Sequence, residues 1–476
     1  MHPIAPDLTP TITPMPPPTP SLDEMHLALS HIAFRREYRP PSPRRIPRIP
    51  SFPDTSPDNE HLEFLNLLSL LLVTDSAGDV AAAMFRVLSK DRLELHYAKN
   101  RPCTNKENAY IHSIFDIVSR EERRDHDLLC WDILAQVIPG CKRKIKSRMK
   151  KVCLRLKELS PSLVTTGSAS FAICEGGCTT ETDEMTVPQL LRGWFDHLLK
   201  KPDEGSTVWH VGSVNHTLSL AFYIGHAPRM EQILDAQLLR RVRKLGDYYG
   251  AALVLIRNAE LLPRDQLRQL RIVEAVPPTP DLRLLRTNQV DTINEWARHI
   301  GEPEVSEADL RLAFPEMDKI PSNPASMHKV CVHCECTLLL KMIRITSTAA
   351  SPSAPSPSAP TPMLLEMGVS KSSCFMCREL ITAVQKVYHH ITVLVSPCHG
   401  KHIAGWSLPQ SAPAVLRDLM GKRIMDEMDD ILQHAARKRK SDSIPRATGS
   451  GELDGRPAAD QFRRESGADM FLLPDE

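Results

Sequence analysis

Apolar residues recur at helical spacing through most of residues 59–320. The stretch DNEHLEFLNLLSLLLV opens with acidic residues and continues as a leucine stripe, which is the pattern of an amphipathic helix. The stretches VPQLLRGWFDHLLKK and PRMEQILDAQLLRRVRKLGDYYGAALVLI repeat this pattern, each behind a proline that suits the first turn of a helix. The pattern predicts a mainly helical region over 59–320, with its apolar stripes packed into a core.

A different pattern begins near residue 325, where short apolar runs alternate with a helical stripe. It predicts an extended segment over 364–369, a helix over 374–388 and a second extended segment over 391–396. Strands that alternate with helices are typical of layered α/β folds. We therefore expect an α/β domain over 322–412, behind the helical region.

Low-complexity sequence interrupts this domain and flanks the ordered chain. Residues 346–362, TSTAASPSAPSPSAPTP, predict an insertion that is neither strand nor helix. The 40 prolines of the chain are bunched and predict a disordered arm over 1–58, and a disordered tail is expected over 441–476. Residues 413–440 predict a further helix, whose four basic residues at 437–440 suit either nuclear import or a helix C-terminus.

Charge gives little direction about partners for the chain as a whole. Lys+Arg is 59 and Asp+Glu is 58, so no overall attraction to nucleic acid or to an anionic membrane is expected. The stretch CKRKIKSRMKKVCLRLKEL, which begins at Cys141, is a basic exception. As a helix it would either bind phosphates with its basic residues or pack its regularly spaced apolar residues into a core, with the basic residues facing solvent.

Hydropathy and cysteine usage bear on the compartment. Neither an apolar run of membrane-spanning length nor a secretory signal is visible, so we expect an intracellular protein of the cytoplasm or nucleus, not secreted and without a membrane partner. The chain has 12 cysteines, and in such a compartment clustered cysteines bind metal or react more often than they form disulfides. CEGGC, at 174–178, could form a metal knuckle or a redox pair, but a glycine turn with two unpaired thiols is favoured, because no second pair follows nearby.

Two further clusters read H-x-E followed by C-x-x-C, which is the pattern of the zinc deaminases. His333, Cys374 and Cys377 offer one imidazole and two thiolates, and they leave the fourth position of tetrahedral zinc for a water whose pKa the metal lowers. Glu335 is the carboxylate that would move the proton of that water to the ring and then to the leaving ammonia. Cys374 and Cys377 at i and i+3 on a first helical turn put both sulfurs on one side.

Three stretches carry a resemblance to a known family: HCECTLLLKM, LLEMGVSKSSCFMCREL and SPCHGKHIAGWSLP. They resemble a divergent deaminase family, found largely in fungi and some bacteria, within the cytidine-deaminase-like superfamily. The resemblance covers roughly residues 325–410. It implies a mixed-sheet α/β/α fold, Zn2+ as cofactor, and a nucleobase in a nucleotide or nucleic acid as substrate. The superfamily usually has proline before the first cysteine of the pair, where this chain has Ser373.

By this resemblance the four residues of the H-x-E and C-x-x-C pattern keep the roles given above. Two further residues of the matching stretches are candidates for substrate binding. Trp406 either stacks on a base or covers the core. His399 is either a pocket residue or a histidine at the end of a strand.

The function hypothesis is zinc-dependent hydrolytic deamination of a cytosine- or adenine-type base. Two alternatives stay open. The cysteines and histidines of this region could form a closed structural zinc site that does no chemistry. Alternatively, a degenerate deaminase fold could act as an interaction scaffold, with protein partners bound by the helical region 59–320.

Overall fold

The chain is described by a computed structural model in which the following residues are placed: 19–32, 60–74, 79–89, 92–120, 125–163, 170–172, 184–186, 211–227, 230–262, 264–315, 317, 325–349, 362–396, 398 and 401–443. All structural statements below concern these residues.

Helices and strands are numbered here in chain order. The helices are α1 (Leu22–His31), α2 (Glu60–Leu71), α3 (Asn105–Val118), α4 (His126–Gly140), α5 (Lys142–Leu163), α6 (Val211–His226), α7 (Met230–Ile233), α8 (Ala236–Leu261), α9 (Arg264–Arg268), α10 (Gln289–Ile300), α11 (Glu307–Ala313), α12 (Cys334–Ala349), α13 (Phe375–Val387) and α14 (Ala414–Ser443). The strands are β1 (Ala81–Ser89), β2 (Arg92–Lys99), β3 (Ser170–Ala172), β4 (Glu184–Thr186), β5 (Arg271–Glu274), β6 (Asp281–Arg286), β7 (Ala325–Val330), β8 (Met363–Val369) and β9 (Ile391–Val395).

Five strands form one mixed sheet in the order β5-β2-β1-β8-β9. Strand β1 is antiparallel to both of its neighbours, with Ala82 opposite Ala98 of β2 and Val369 of β8. Strand β5 is parallel to β2, and β9 is parallel to β8. The pairs β3-β4 and β6-β7 are separate antiparallel ribbons. The α/β class with a mixed sheet, expected from the sequence, is confirmed.

The sheet separates two cores, because successive side chains of a strand point to opposite faces. On β1, Ala81 and Ala83 belong to a core shared with α2–α6 and α8. Ala82 and Met84 belong to a second core, shared with α1 and α10–α14. Helices therefore cover both faces, which is the α/β/α layering that the resemblance implied.

Strands β1 and β2 were not predicted, since the region 59–320 was expected to be mainly helical. They pair with β8, which lies in the expected α/β domain. The sheet thus draws strands from both sides of residue 322, and the boundary placed there stays a prediction.

Helix α1 corrects the expectation of a disordered arm over 1–58. It begins with a capping box between Ser21 and Glu24. Met25 and Leu29 are buried in the second core, and α1 packs against α10 and α14. This stretch differs from the proline-rich sequence around it, because it has apolar residues at helical spacing. Their burial offsets the conformational entropy that is lost when the helix becomes ordered. Most of the remaining arm lies outside the described residues.

Other predicted elements are confirmed where they are described. The leucine stripe forms α2, and β8, α13, β9 and α14 match their predicted segments closely. The basic stretch forms α5 with Ile145, Val152 and Leu156 fully buried, as expected of a packed helix with a charged outer face. None of the described helices is both long and apolar enough to cross a membrane.

Helix α12 continues into the predicted insertion as far as Ala349, so residues 346–349 are helical and not low-complexity coil. The hydroxyls of Thr346 and Ser347 donate to carbonyls one turn earlier, so both hydroxyls have hydrogen-bond partners within the helix. The rest of the insertion lies outside the described residues. So do the predicted helix VPQLLRGWFDHLLKK and the CEGGC turn.

A buried ion-pair network fixes the end of β2 next to the start of α12. The Nζ atom of Lys99 is fully buried and lies 2.8 Å from the Asp79 carboxylate and 2.7 Å from that of Glu107. The next residue, Asn100, accepts a hydrogen bond of 2.9 Å from the backbone N–H of Cys334. The ion-pair network therefore includes the residue directly before Asn100, whose hydrogen bond positions the start of α12.

Replacing Lys99 by methionine should lower the free energy of unfolding by about 3–5 kcal/mol, because buried Asp79 loses the paired lysine and Glu107 keeps only Arg101 as a cationic partner. Urea titration measures the change. The matched control is Lys106→Met on the exposed side of α3, expected to stay within about 0.5 kcal/mol of wild type. Equal losses in the two variants would contradict the role given to Lys99.

Acid should act on the same network. Burial alone would raise the pKa of Glu107, but hydrogen bonds from Arg101 and Lys99 hold it well below the usual range for glutamate. A carboxylate with such a lowered pKa stabilises the fold above its unfolded pKa of about 4.3 and loses that contribution as the pH falls. The free energy of unfolding should therefore drop below about pH 4.3, and it should drop less in Lys99→Met.

Gly368 marks the closest approach of β8 and α2. A Cβ atom at Gly368 would lie 2.1 Å from the carbonyl carbon of Leu65. Beside it, the Ser69 hydroxyl donates to the Gly368 carbonyl at 2.9 Å, and the Val369 N–H donates to the Asn66 side-chain oxygen at 2.9 Å. Glycine lets the backbone of α2 lie directly on the strand.

The variant Gly368→Ala should lower the free energy of unfolding by about 1–3 kcal/mol, because the backbone of α2 has to move away from the new methyl group. Gly212→Ala in α6 is the control, since its Cβ would meet only Trp131 at 3.6 Å. That change should be neutral or stabilising by up to about 1 kcal/mol, as alanine favours helix. A similar loss in both variants, measured by urea titration, would contradict the close approach.

Candidate metal centre

Two helix starts bring the predicted ligands together. Helix α12 begins at Cys334, directly after His333, and α13 begins at Phe375, directly after its N-cap residue Cys374. The Cys374 sulfur accepts the backbone N–H of Cys377 at 3.4 Å. This capping contact holds the two sulfurs on the same side of the first turn of α13.

One segment of backbone runs beside both helix starts. The Cys331 N–H donates to the Gly405 carbonyl at 2.8 Å, and the Ser407 N–H donates to the Cys331 carbonyl at 3.1 Å. The Phe375 N–H donates to the Lys401 carbonyl at 3.0 Å. These bonds fix the H-x-E and C-x-x-C halves relative to each other.

The three predicted ligands form a compact group. His333 Nδ1 lies 3.5 Å from Cys374 Sγ and 3.4 Å from Cys377 Sγ. Tetrahedral zinc, with Zn–S of about 2.3 Å and Zn–N of about 2.0 Å, places nitrogen and sulfur about 3.5 Å apart. All three ligand atoms lie within 4.8 Å of one another, so the group could hold a metal ion.

Charge within this group favours a thiolate. Burial alone would raise the pKa of Cys374, but the hydrogen bond from Cys377 and the charge of His333 bring it well below the usual range for cysteine. Burial and the neighbouring Cys336 raise the pKa of Cys377. Burial would lower the pKa of His333, yet the Cys374 thiolate raises it overall. A thiolate is the form of cysteine that binds metal.

Glu335 lies on the first turn of α12, beside the ligands. Its side chain is buried and accepts a hydrogen bond from Cys334 Sγ at 3.2 Å. The ligand group found among the described residues does not include it. Burial raises the pKa of Glu335, which is a property of carboxyl groups that exchange protons near neutral pH, although a bound cation would oppose part of the rise.

Further thiols surround the group without joining it. Cys336 Sγ is 3.6 Å from Cys377 Sγ, and both Cys334 and Cys336 are buried in the second core. Neither belongs to the set of mutually close ligand atoms among the described residues. Cys398 forms an isolated backbone bridge with Ser373.

Several aromatic rings lie near the group. The Trp406 side chain is buried in the second core, and its ring is 5.7 Å from that of His26. The His26 ring is also 5.4 Å from the ring of His402, which lies 4.6 Å from that of Phe375. His399, the other predicted substrate-binding residue, lies outside the described residues.

Sequence reasoning missed His26, because it belongs to the arm that was expected to be disordered. One local signal was present, since the capping box of Ser21 and Glu24 predicts the start of a helix. No signal in the sequence indicated that this helix packs beside residues near position 400.

Two serines of the stretches that resemble the deaminase family stabilise the fold. The Ser370 N–H donates to the Ala81 carbonyl at 2.9 Å, and the Ser370 hydroxyl accepts the Ala81 N–H at 3.0 Å. The Ser396 hydroxyl donates to the Asn66 side-chain oxygen at 2.6 Å. These bonds tie the ends of β8 and β9 to β1 and α2, so the helix starts that carry the ligands are held on a rigid sheet.

Comparison with known proteins agrees with this geometry. Residues 332–410 match the family model of the OTT_1508-like deaminases. No curated protein and no solved structure matches the chain. The matched residues include the H-x-E and C-x-x-C pattern and the segment that pairs with it. Residues 332–410 are therefore similar to a deaminase family, and this similarity supports the resemblance noted in the sequence.

Proposed function

We propose that the protein is a zinc-dependent hydrolytic deaminase that acts on a cytosine- or adenine-type base in a nucleotide or nucleic acid. The observation that carries the proposal is the spacing of His333, Cys374 and Cys377 with the buried carboxyl group of Glu335 beside them. The match to a deaminase family supports the reaction class.

Zinc is the metal that fits these donors. One imidazole nitrogen and two thiolate sulfurs are typical zinc ligands, whereas magnesium and calcium prefer oxygen. Three protein donors converge among the described residues, as at catalytic zinc sites, which keep a fourth position open. When bound, zinc would supply the Lewis acidity that activates water at neutral pH.

Glu335 would move the protons of the reaction. Its carboxylate would take a proton from the attacking water, deliver it to the ring nitrogen, and transfer a second proton to the departing amino group. The bond from the ring carbon to the amino nitrogen breaks, and a bond to the water oxygen replaces it. One water is consumed and one ammonia is released.

Basic residues near α13 support a substrate that carries phosphate. Lys371 lies three residues before Cys374. Burial, followed by the charges of Lys371 and Arg148, lowers the pKa of Lys144 to about 8. Positive charges close enough to lower the pKa of Lys144 favour a bound anion, which the phosphate of a nucleotide or nucleic acid would supply.

A structural zinc site in a scaffold protein is the second candidate, and one observation favours it. The 3.6 Å between Cys336 Sγ and Cys377 Sγ is close to the separation of about 3.8 Å for two sulfurs on one zinc. A rotation that brought Cys336 onto the metal would close the fourth position. The ion would then stabilise the fold and do no chemistry.

Metal analysis and a substrate panel test the proposal. The purified protein is assayed for zinc per chain, and for ammonia release from cytidine, adenosine, their 5′-monophosphates, and single-stranded RNA and DNA oligonucleotides. About one zinc per chain with ammonia from at least one compound supports the deaminase. About one zinc with no ammonia from any compound favours the structural site. Protein without zinc contradicts both candidates.

A further inference from the structure

Helix α1 is fixed on the part of the molecule that carries the candidate site. Arg286 Nε donates to the Glu24 carboxylate at 3.0 Å, and Arg283 pairs with Asp23. Met25 is buried in the core that also holds the cysteines of the metal group. A side chain on the inner face of α1 therefore has a fixed position relative to that group.

His26 is on this inner face. Only 2% of its surface is exposed, and its ring packs near those of His402 and Trp406. The charges of Cys374 and His333 act on it, which places its ring within electrostatic reach of the ligands. It is not one of the mutually close ligand atoms found among the described residues.

Three buried polar atoms in this neighbourhood have no hydrogen-bond partner among the described residues: His26 Nε2, Trp406 Nε1 and Ser373 Oγ. Buried polar atoms of native proteins are almost always paired, so each such atom requires an explanation. Ser373 precedes the ligand Cys374, and the Trp406 ring lies against that of His26. A polar molecule bound beside the ligand group would give these atoms hydrogen-bond partners.

The chemistry of these atoms suits a nucleobase. Burial lowers the pKa of His26 to about 4, so the imidazole is neutral at pH 7 and offers one donor and one acceptor. The indole N–H of Trp406 is a donor only. The edge of a cytosine or adenine presents donors and acceptors together, and a flat heterocycle packs well against aromatic rings.

From these observations we propose that His26 is a substrate-positioning residue, which holds the base beside the metal group through a hydrogen bond to its Nε2 atom. The inference rests on the proposed deaminase function. It adds a residue of the N-terminal helix, about 300 positions before the family match, to the site.

The experiment compares His26→Leu and His26→Gln with His31→Leu in the full-length protein. His31 lies on the same helix, and its charge acts on His328. The substrate is whichever panel compound the wild type deaminates fastest. His26→Leu should lower kcat/KM about 10- to 100-fold, mainly through KM, because the hydrogen bond exists in the bound substrate as well as in the transition state. His26→Gln should restore part of the loss, and His31→Leu should stay within about twofold of wild type. Zinc per chain should be unchanged in all three.

Each other outcome overturns the inference in a recognisable way. An unchanged KM in His26→Leu means that the side chain does not contact the substrate. Loss of zinc in His26→Leu would make His26 a metal ligand. An equal loss of kcat/KM in the Leu and Gln variants, together with a matching loss of stability in urea, would make its role structural. A wild type that binds zinc but releases ammonia from no compound overturns the proposed function and this inference together. That failure appears in the wild type, before any variant is tested.

Discussion

Replacing Cys377 by serine is expected to remove the metal. Zinc should fall from about one ion per chain to about a tenth or less, because a sulfur ligand that lies 3.4 Å from His333 Nδ1 is exchanged for a hydroxyl that binds zinc poorly. Metal analysis of the purified, dialysed protein measures the loss. Circular dichroism on the same sample shows whether the fold survives, since metal binding contributes to folding.

The neighbouring Cys336 provides the matched control. It is buried, it lies 3.6 Å from Cys377 Sγ, and the substitution to serine is the same. Cys336→Ser should keep about one zinc per chain if the site has three protein ligands. Loss of zinc in both variants would favour the closed structural site, and retention of zinc in Cys377→Ser would contradict the ligand set. If Cys377→Ser does not fold, the same measurement is made on Cys374→Ser, which removes the other cysteine ligand of the C-x-x-C pattern.

Glu335→Gln should abolish most of the reaction and leave the metal in place. We expect the deamination rate to fall by about 10²–10⁴-fold, which is the usual contribution of a positioned general acid and base. Glutamine has the size of glutamate but cannot accept the proton. The free energy of unfolding should be unchanged or raised, because a neutral amide replaces a buried carboxyl group. Ammonia release, zinc per chain and urea titration are measured on one preparation.

An exposed glutamate serves as the control for this substitution. Glu302 follows α10 at the surface, and Glu302→Gln should deaminate at the wild-type rate. A wild-type rate in Glu335→Gln would exclude the proton-transfer role. Loss of zinc in Glu335→Gln would show that the carboxylate is a ligand, which would also remove the open position from the proposal.

The candidate ligands could be predicted from the sequence because their arrangement is largely local. Cys374 and Cys377 are separated by one turn of a helix whose start the apolar pattern already indicates. His333 and Glu335 stand likewise at the start of α12. Only the meeting of the two helix starts depends on the sheet, and the order of the elements was enough to suggest it.

What the sequence did not reveal depends on contacts between distant segments. The run Ala81–Met84 is short and wholly apolar, and such a run cannot be told from buried helix by its spacing. It becomes a strand because Arg92–Lys99 and Met363–Val369 pair with it on either side. The position of His26 is of the same kind, since α1 carries a local start signal but no sign of the surface that it covers.

The order of strands in the sheet has a consequence for synthesis of the protein on the ribosome. Strand β1 needs β8 as its second neighbour, and residues 90–362 must be made before β8 is complete. At about 5–20 residues per second this takes about 14–55 s, during which one backbone edge of β1 has no partner strand. An unpaired strand edge can pair with another chain, so β1 is open to wrong pairing until β8 is made, although helices of the first core, made earlier, belong to one face of the sheet.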